Sequence, residues 1–390
     1  MGKNVVIGVV LAIIVVLVAF LGVSSTAFFS ATGADGNSSS VNAIQNDSIR
    51  IGWISDLSGP VAKYGSMEAG QMAVDEINAK GGINGKKIEL IVEDGKCNPK
   101  AALDAVNKLI FADGVKFILG GHCSPESVTI APLVEKNKVI MIASSTTSPL
   151  LTPMGDYVFR TSPISTVQAD LDANIAINKY NYKTVAIIFA QTDYARPIAE
   201  RMRDVFTQMG GKVLSFHTYQ QNASDFRDIL AKVAQEKPDF VFLSPQNSDE
   251  ALQLLKQMKE LNINSAIFGN EQLYNTKVFA NSTLNEGVIT SGPKYGPENQ
   301  KTKEFIERYN ARYGMDPPFG VWTAEAYDAV YLLAKAIEQE GENPDKVKDY
   351  LYTVKDYSGA SGSITINSNG DGVREYVVRV IKNGKMVPLE

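Results

Sequence analysis

The sequence contains little of the side-chain chemistry on which metal centres and most enzymes depend. Its 390 residues include only two histidines and two cysteines, which are too few for a zinc cluster. The motifs G-x-x-x-x-G-K-[ST], G-x-S-x-G and H-E-x-x-H are absent, so no P-loop nucleotide site, serine-hydrolase site or zinc-protease site is indicated. We therefore predict a protein that is not an enzyme and that holds no metal and no cofactor.

The sequence also lacks a strong excess of charge of either sign. It has 38 basic and 43 acidic residues and a formal net charge of −5. This mildly acidic balance argues against a nucleic-acid partner and against attraction to an anionic membrane surface. The length exceeds that of one typical domain and predicts two lobes plus an end segment.

The amino terminus is dominated by an apolar run without charge, Val5–Val23, preceded by Lys3. The run is long enough to span a bilayer, and the small residues Ser25 and Ala27 also allow cleavage after Ala27. Residues 1–30 are therefore predicted to be a signal peptide or a membrane anchor, and both alternatives stay open. Residues 31–47 are small, polar and aperiodic, which is typical of a flexible tether. The remainder is expected outside the cytoplasm.

From Ile49 onward, apolar strands alternate with amphipathic helices in two series, which are joined near Arg160–Gln168. This pattern predicts an α/β protein with two doubly wound lobes, each built on a parallel sheet covered on both faces. Within the first series the pattern predicts a helix at Lys100–Asp113. A late return of the chain to both lobes would make several crossovers and a hinge.

The predicted lobe boundaries follow from this organisation. Lobe 1 would comprise residues 48–165 and 294–372, and lobe 2 would comprise residues 166–293 and 373–390.

The two cysteines, Cys97 and Cys123, follow the second and third predicted strands of the first lobe. They would therefore lie at the same edge of one sheet, in an exported chain where disulfides persist. A bond between them would stabilise the fold by about 3 kcal/mol through loop closure. Two unrelated thiols are the alternative, and the disulfide is the prediction.

Three strand-end turns of the first lobe are rich in small hydroxyl residues: Ser58-Gly59-Pro60, Cys123-Ser124-Pro125 and Ser144–Ser148. Because ligands of open α/β sheets bind outside the carboxyl ends of the strands, these turns would meet at one site. Hydroxyls and free backbone amides there suit a carboxylate. Tyr64 would add a ring and a hydroxyl, and His122 adjoins the site. The alternative is that serine and threonine are simply common in turns and helix caps.

The second lobe offers Asp193-Tyr194, Gln246-Asn247 and Glu271 after three of its strands. A ligand ammonium needs an anionic partner in a site shielded from water, and either Asp193 or Glu271 could supply it. Solvated loop charges and helix caps are the alternative for both acids.

Several segments, in this order, resemble the periplasmic leucine/isoleucine/valine-binding proteins of ABC importers, which have the type I periplasmic-binding-protein fold. The segments are SGPVAKYG, DEINAKGGINGKKIEL, DGKCNPKAA with GGHCSPES, and GVWTAEAYDA. The resemblance covers the chain from about Ile49 to its end. The spacing of the two cysteines is close to that of the family's disulfide, which supports the pairing.

The resemblance also implies a set of ligand-binding residues. In lobe 1 the family's site falls on Tyr64, Ser124, Ser145 and Thr147, which would meet the ligand carboxylate. In lobe 2 the aromatic cover matches Tyr194, and the acid that takes the ligand ammonium matches Glu271.

Two positions depart from the family pattern. Gln246 stands where leucine-type proteins have a tyrosine, and Gly320 stands where they have a pocket phenylalanine, with Phe319 one residue earlier. The α-amino-acid clamp is therefore expected to be kept and the side-chain pocket to be altered, towards a larger or more polar side chain or an amide.

These expectations together predict an extracytoplasmic solute-binding protein of an ABC importer, which binds a branched-chain or related amino acid and presents it to the permease. We expect it to act as a monomer. The alternative is a ligand-sensing ectodomain or an amide- or urea-binding protein of the same fold, because a fold alone does not settle function.

Overall fold

The computed structural model describes residues 48–390. The predicted signal peptide or anchor and the predicted tether lie outside the described residues. Among residues 48–390, no helix has both the length and the apolar character needed to cross a membrane.

Lobe 1 is built on a five-stranded, fully parallel sheet with the strand order β2-β1-β3-β4-β5. Its strands are β1 (Ser48–Ser55), β2 (Lys87–Asp94), β3 (Phe117–Leu119), β4 (Ile140–Ala143) and β5 (Val158–Arg160). The helices between them are α1 (Ser66–Ala79), α2 (Pro99–Asn107) and α3 (Ser124–Lys136). The central strands are buried apolar runs because helices cover both faces of the sheet.

Lobe 2 is built on a seven-stranded sheet with the order β15-β14-β10-β9-β8-β6-β7. Its strands are β6 (Thr184–Ala190), β7 (Lys212–Tyr219), β8 (Phe240–Ser244), β9 (Ala266–Gly269), β10 (Ile289–Pro293), β14 (Tyr376–Lys382) and β15 (Lys385–Pro388). Its helices are α4 (Thr166–Asn174), α5 (Ala195–Gln208), α6 (Arg227–Glu236) and α7 (Ser248–Glu260). Strands β6 to β10 are parallel, and β14 and β15 extend the sheet in antiparallel pairing.

The chain between β10 and β14 returns to lobe 1. It forms α8 (Gln300–Tyr313), α9 (Val321–Glu340), α10 (Pro344–Tyr352) and a small sheet of β11 (Tyr357–Gly359), β12 (Gly362–Ile366) and β13 (Gly372–Val373). Buried residues of these helices share one hydrophobic core with Trp53 of β1 and Phe159 of β5. The chain therefore passes between the lobes after β5, after β10 and after β13. The predicted two-lobed α/β fold with several crossovers is confirmed.

Some predicted elements differ in extent from those of the structure. The predicted helix Lys100–Asp113 is α2 followed by a π-helical turn at Lys108–Ala112. The segment predicted to join the two series contains the end of β5 and the start of α4. Helix α4 gave no apolar stripe in the sequence because it buries polar residues, Gln168 and Asp172, among its inward-facing side chains.

Candidate functional site

A small cavity lies between the carboxyl ends of the two sheets. Six of the predicted ligand-binding residues line it: Tyr64, Ser124, Ser145, Tyr194, Gln246 and Glu271. The other lining residues are Val61, His122, Cys123, Gln272, Phe319 and Trp322. Residues from both lobes thus face one small space, as ligand sites at the ends of parallel strands require.

The loop Ser144–Ser148 is positioned by a buried ion pair. The guanidinium of Arg160, at the end of β5, contacts the Asp371 carboxylate at 2.6 Å, and both side chains are almost fully buried, at 1% and 4% exposure. Arg160 Nη1 also donates to the backbone oxygen of Ser148 at 2.6 Å. The Asp371 carboxylate neutralises the guanidinium, so no buried charge is left unpaired. A guanidinium N–H group can therefore donate to the backbone oxygen of the loop and hold the loop in place.

Thr147 belongs to the same loop but does not line the cavity. Its side chain is buried, and its Oγ1 has no hydrogen-bond partner among residues 48–390. The backbone oxygen of Thr147 accepts hydrogen bonds from the backbone N–H and the hydroxyl of Ser165, at 2.9 and 3.1 Å. Thr147 is therefore a buried residue of this loop with an unpaired hydroxyl, outside the lining of the cavity.

The predicted disulfide between Cys97 and Cys123 is present, with the two Cα atoms 5.3 Å apart. Beneath it, the carboxylate of Glu126 accepts hydrogen bonds from the backbone N–H groups of Cys97 and Cys123, at 3.0 and 2.7 Å. Burial raises the pKa of Glu126 to about 8. The disulfide and this carboxylate hold the loop at Cys97 against the loop at Cys123. The second of these loops lines the cavity and leads into α3, which begins at Ser124. A helix amino terminus at this place favours an anionic group.

In lobe 2, Glu271 begins a short 3₁₀ turn that follows β9, and Asn270 caps this turn through its side chain. The Glu271 side chain is only 7% exposed, and its Oε2 accepts a hydrogen bond from Gln168 Nε2 at 2.5 Å. Burial raises the pKa of Glu271, and the hydrogen bond from Gln168 opposes that rise. The carboxylate accepts a hydrogen bond from the Gln168 amide, and the lining residues of the described chain include no lysine or arginine to pair with it, so it is available to a positive group.

The two lobes make direct contact through Tyr64. Its hydroxyl donates to Gln272 Oε1 at 2.5 Å and accepts from the backbone N–H of Ser248 at 2.8 Å. An exposed ion pair between Lys63 and Asp249, at 3.0 Å, lies beside it. The structure is therefore closed over the cavity, and Tyr64 is one of the groups that join the lobes.

Several polar atoms of the lining have no partner within the described chain. These buried oxygens are Ser145 Oγ, Tyr194 Oη and Gln246 Oε1. A buried polar atom without a hydrogen bond costs on the order of 1–3 kcal/mol, so these oxygens would favour a polar molecule over an apolar one in this space. In the described range, no group of three or more His, Cys, Asp or Glu side chains could hold a metal ion.

Gly320 does not line this cavity. It lines a larger neighbouring groove, which shares Glu271, Phe319 and Trp322 with the cavity. Its φ is +56°, a conformation that suits glycine, and an added Cβ would lie 3.6 Å from the ring of Tyr295. The predicted extra room at Gly320 therefore belongs to the groove rather than to the cavity.

Sequence reasoning missed Gln168 and Gln272, although both contact key residues of the site. Gln168 lies in α4, which the prediction did not include, and it reaches Glu271 across more than one hundred residues of sequence. Gln272 directly follows Glu271, and only the approach of Tyr64 from the other lobe gives it a role. The one available signal was the cap sequence Asn270-Glu271-Gln272, which predicts a turn at the end of β9.

Comparison with known proteins places this geometry in context. A model of the periplasmic binding protein family matches residues 48–385. A "Leucine-, isoleucine-, valine-, threonine-, and alanine-binding protein" of Pseudomonas aeruginosa is 30% identical over 330 residues, which are 83% of this chain and 87% of the relative.

Solved structures of binding proteins also resemble this chain. The leucine-binding protein LivK of Thermotoga maritima superposes with a TM-score of 0.81 at 26% identity, covering 88% of this chain and 98% of LivK. LivJ of Streptococcus pneumoniae, solved in complex with isoleucine, superposes with a TM-score of 0.80 at 27% identity, covering 87% of this chain and 97% of LivJ.

Proposed function

The chain belongs to the periplasmic binding protein family, in its leucine/isoleucine/valine-binding branch, and from this premise we propose that it binds a free α-amino acid between its lobes. Its role is that of a substrate-binding protein of an ABC importer. The observation that supports the ligand class is that hydroxyls of lobe 1 and the buried carboxylate of Glu271 in lobe 2 face one cavity.

The carboxylate of the ligand would be held by lobe 1. Ser145 Oγ is buried and unpaired, and the Ser124 hydroxyl accepts only a long hydrogen bond, 3.3 Å from the backbone N–H of Ser148. Ser124 also begins α3, whose positive end favours an anion. Thr147, with its unpaired hydroxyl, would join this end of the site after a small shift of the loop.

The ammonium group would be held by Glu271, with Tyr194 beside it. Burial and the neighbouring carboxylate both raise the pKa of Tyr194, which therefore stays neutral and offers its ring and hydroxyl to the ligand. A bound ammonium supplies the positive partner that a buried carboxylate needs.

Closure would couple binding to transport. A ligand that contacts both lobes stabilises the closed form, and a permease can recognise that form. We place lobe 1 at residues 48–165 and 294–372 and lobe 2 at residues 166–293 and 373–390. We further propose that the protein acts as a monomer outside the cytoplasm, secreted or anchored by its amino-terminal segment, and that it binds without chemical turnover.

Calorimetry on the purified full chain in detergent tests the proposal. The panel is leucine, valine, phenylalanine, glutamine, a dipeptide, a short aliphatic amide, urea and benzoate. Micromolar or tighter binding of a free amino acid supports the amino-acid clamp. Binding of only the amide, urea or benzoate would contradict it, because none of these ligands presents both an ammonium and a carboxylate.

A further inference from the structure

The cavity contains a polar group that an α-amino-acid backbone does not account for. In the proposed function, on which this inference rests, the ligand carboxylate pairs with Ser145 and the ligand ammonium lies between Glu271 and Tyr194. Of the buried lining oxygens without a partner, this leaves Gln246 Oε1. A polar group on the side chain of the ligand would complete this amide.

Gln246 is held in a defined position. It lies between β8 and α7, its backbone N–H donates to Glu250 Oε2 at 2.9 Å, and its side chain is buried at 3% exposure. Its amide nitrogen approaches Cys97 Sγ at 3.6 Å, which places the amide against the disulfide. Because sulfur is a weak acceptor, this contact leaves most of the hydrogen-bonding capacity of the amide unused.

The charges around the cavity restrict the ligand side chain further. Among the lining residues of the described chain there is no lysine or arginine, and Glu271 is the single acid. Burial lowers the pKa of His122 to about 4, so this imidazole is neutral at pH 7. An acidic side chain would find no cationic partner, and a basic one would compete with the ligand's own ammonium for Glu271.

We propose that Gln246 makes this site selective for amino acids with a short, neutral, polar side chain, a hydroxyl or a carboxamide, over aliphatic side chains of the same shape. Threonine and valine form the decisive pair because they differ by a hydroxyl in place of a methyl group. In an apolar pocket valine is favoured, since the hydroxyl loses its hydrogen bonds to water. A buried amide that lacks a partner reverses this preference, because valine leaves it unpaired and threonine does not. A hydroxyl both donates and accepts, so the preference holds for either orientation of the amide.

The test is calorimetry of threonine, valine, asparagine and leucine with the wild-type full chain and with Gln246→Met, a change of similar volume that removes the amide. We expect wild-type protein to bind threonine at least fivefold more tightly than valine, and asparagine more tightly than leucine. In Gln246→Met the threonine-to-valine ratio should fall at least fivefold. Gln246→Leu provides a second apolar variant, and circular dichroism establishes that each variant is folded.

The outcomes separate this inference from the proposed function. Equal or tighter binding of valine by the wild-type chain would overturn the role of Gln246 and leave the amino-acid clamp intact. The same would follow from an unchanged threonine-to-valine ratio in folded Gln246→Met. If none of the four amino acids binds, this inference fails, and the proposed function fails with it only if phenylalanine and glutamine do not bind either.

Discussion

Replacing Glu271 with glutamine isolates the charge that the ligand ammonium would meet. The substitution keeps the shape of the side chain and an oxygen that can still accept the hydrogen bond from Gln168. It removes the negative charge from a position that is only 7% exposed. A loss of affinity can therefore be assigned to the charge rather than to a cavity or to a missing hydrogen bond.

The expected magnitude follows from the burial of this group. Two unit charges 4 Å apart interact by about 4 kcal/mol at an effective dielectric constant of 20. Removal of one partner of a buried, hydrogen-bonded charge pair typically costs about 2–5 kcal/mol of binding free energy. We therefore expect Glu271→Gln to lose at least about 2 kcal/mol, which is roughly a 30-fold weaker affinity for an amino acid.

The assay is a double-mutant cycle that varies both protein and ligand. Leucine and 4-methylpentanoate, which is leucine without its amino group, are titrated by calorimetry into the wild-type chain and into Glu271→Gln. The substitution should weaken leucine binding and leave 4-methylpentanoate unaffected or tighter. Glu260→Gln is the matched control, because Glu260 is an exposed acid of lobe 2 that does not line the cavity.

A small coupling between the ligand amino group and Glu271 would show that Glu271 does not act as the partner of the ammonium. If Glu271→Gln weakens both ligands equally, the effect comes from a change in the site as a whole. If it weakens neither, Glu271 does not take the ammonium.

Three further predictions concern pH and stability. Amino-acid binding should weaken at low pH, because burial raises the pKa of Glu271 and only its ionised form pairs with an ammonium. Calorimetry should show a constant affinity above that pKa and a loss of up to about tenfold per pH unit below it. An affinity independent of pH down to about pH 4 would contradict this prediction. Asp371→Ala leaves the guanidinium of Arg160 buried without its counter-charge. It should therefore lower the free energy of unfolding, measured by urea denaturation, by about 3–5 kcal/mol. A loss below about 1 kcal/mol would be incompatible with the buried ion pair. Replacing both Cys97 and Cys123 with serine should cost about 3 kcal/mol in the same assay, and unchanged stability would show that loop closure does not contribute.

The fold was predictable where a strand is a long buried apolar run. Strand β6 is such a run, because it is rich in branched residues, buried over almost its whole length and followed by a turn. Strand β10 was not predicted, since its sequence ITSGP has the composition of a turn. It pairs with β9 and β14, so its conformation depends on distant neighbours rather than on local preference.

The candidate site was predictable in part for a similar reason. Ser124, Ser145, Gln246 and Glu271 each follow a strand, and parallel topology brings strand ends together. The contacts of Tyr64 with Ser248 and Gln272 join the two lobes, and no local pattern reveals which residues will meet when the lobes close. Local sequence therefore identified the strand-end groups, while the closed arrangement of the lobes determined their partners.

A crystal structure of the protein with its tightest-binding amino acid would test the central claim most directly. We expect electron density in the cavity between the lobes, with the ligand carboxylate at the Ser124 and Ser145 hydroxyls and the ammonium within hydrogen-bond distance of Glu271. A ligand bound in the groove beside Gly320 and Tyr295, or bound in the cavity with its ammonium away from Glu271, would contradict it.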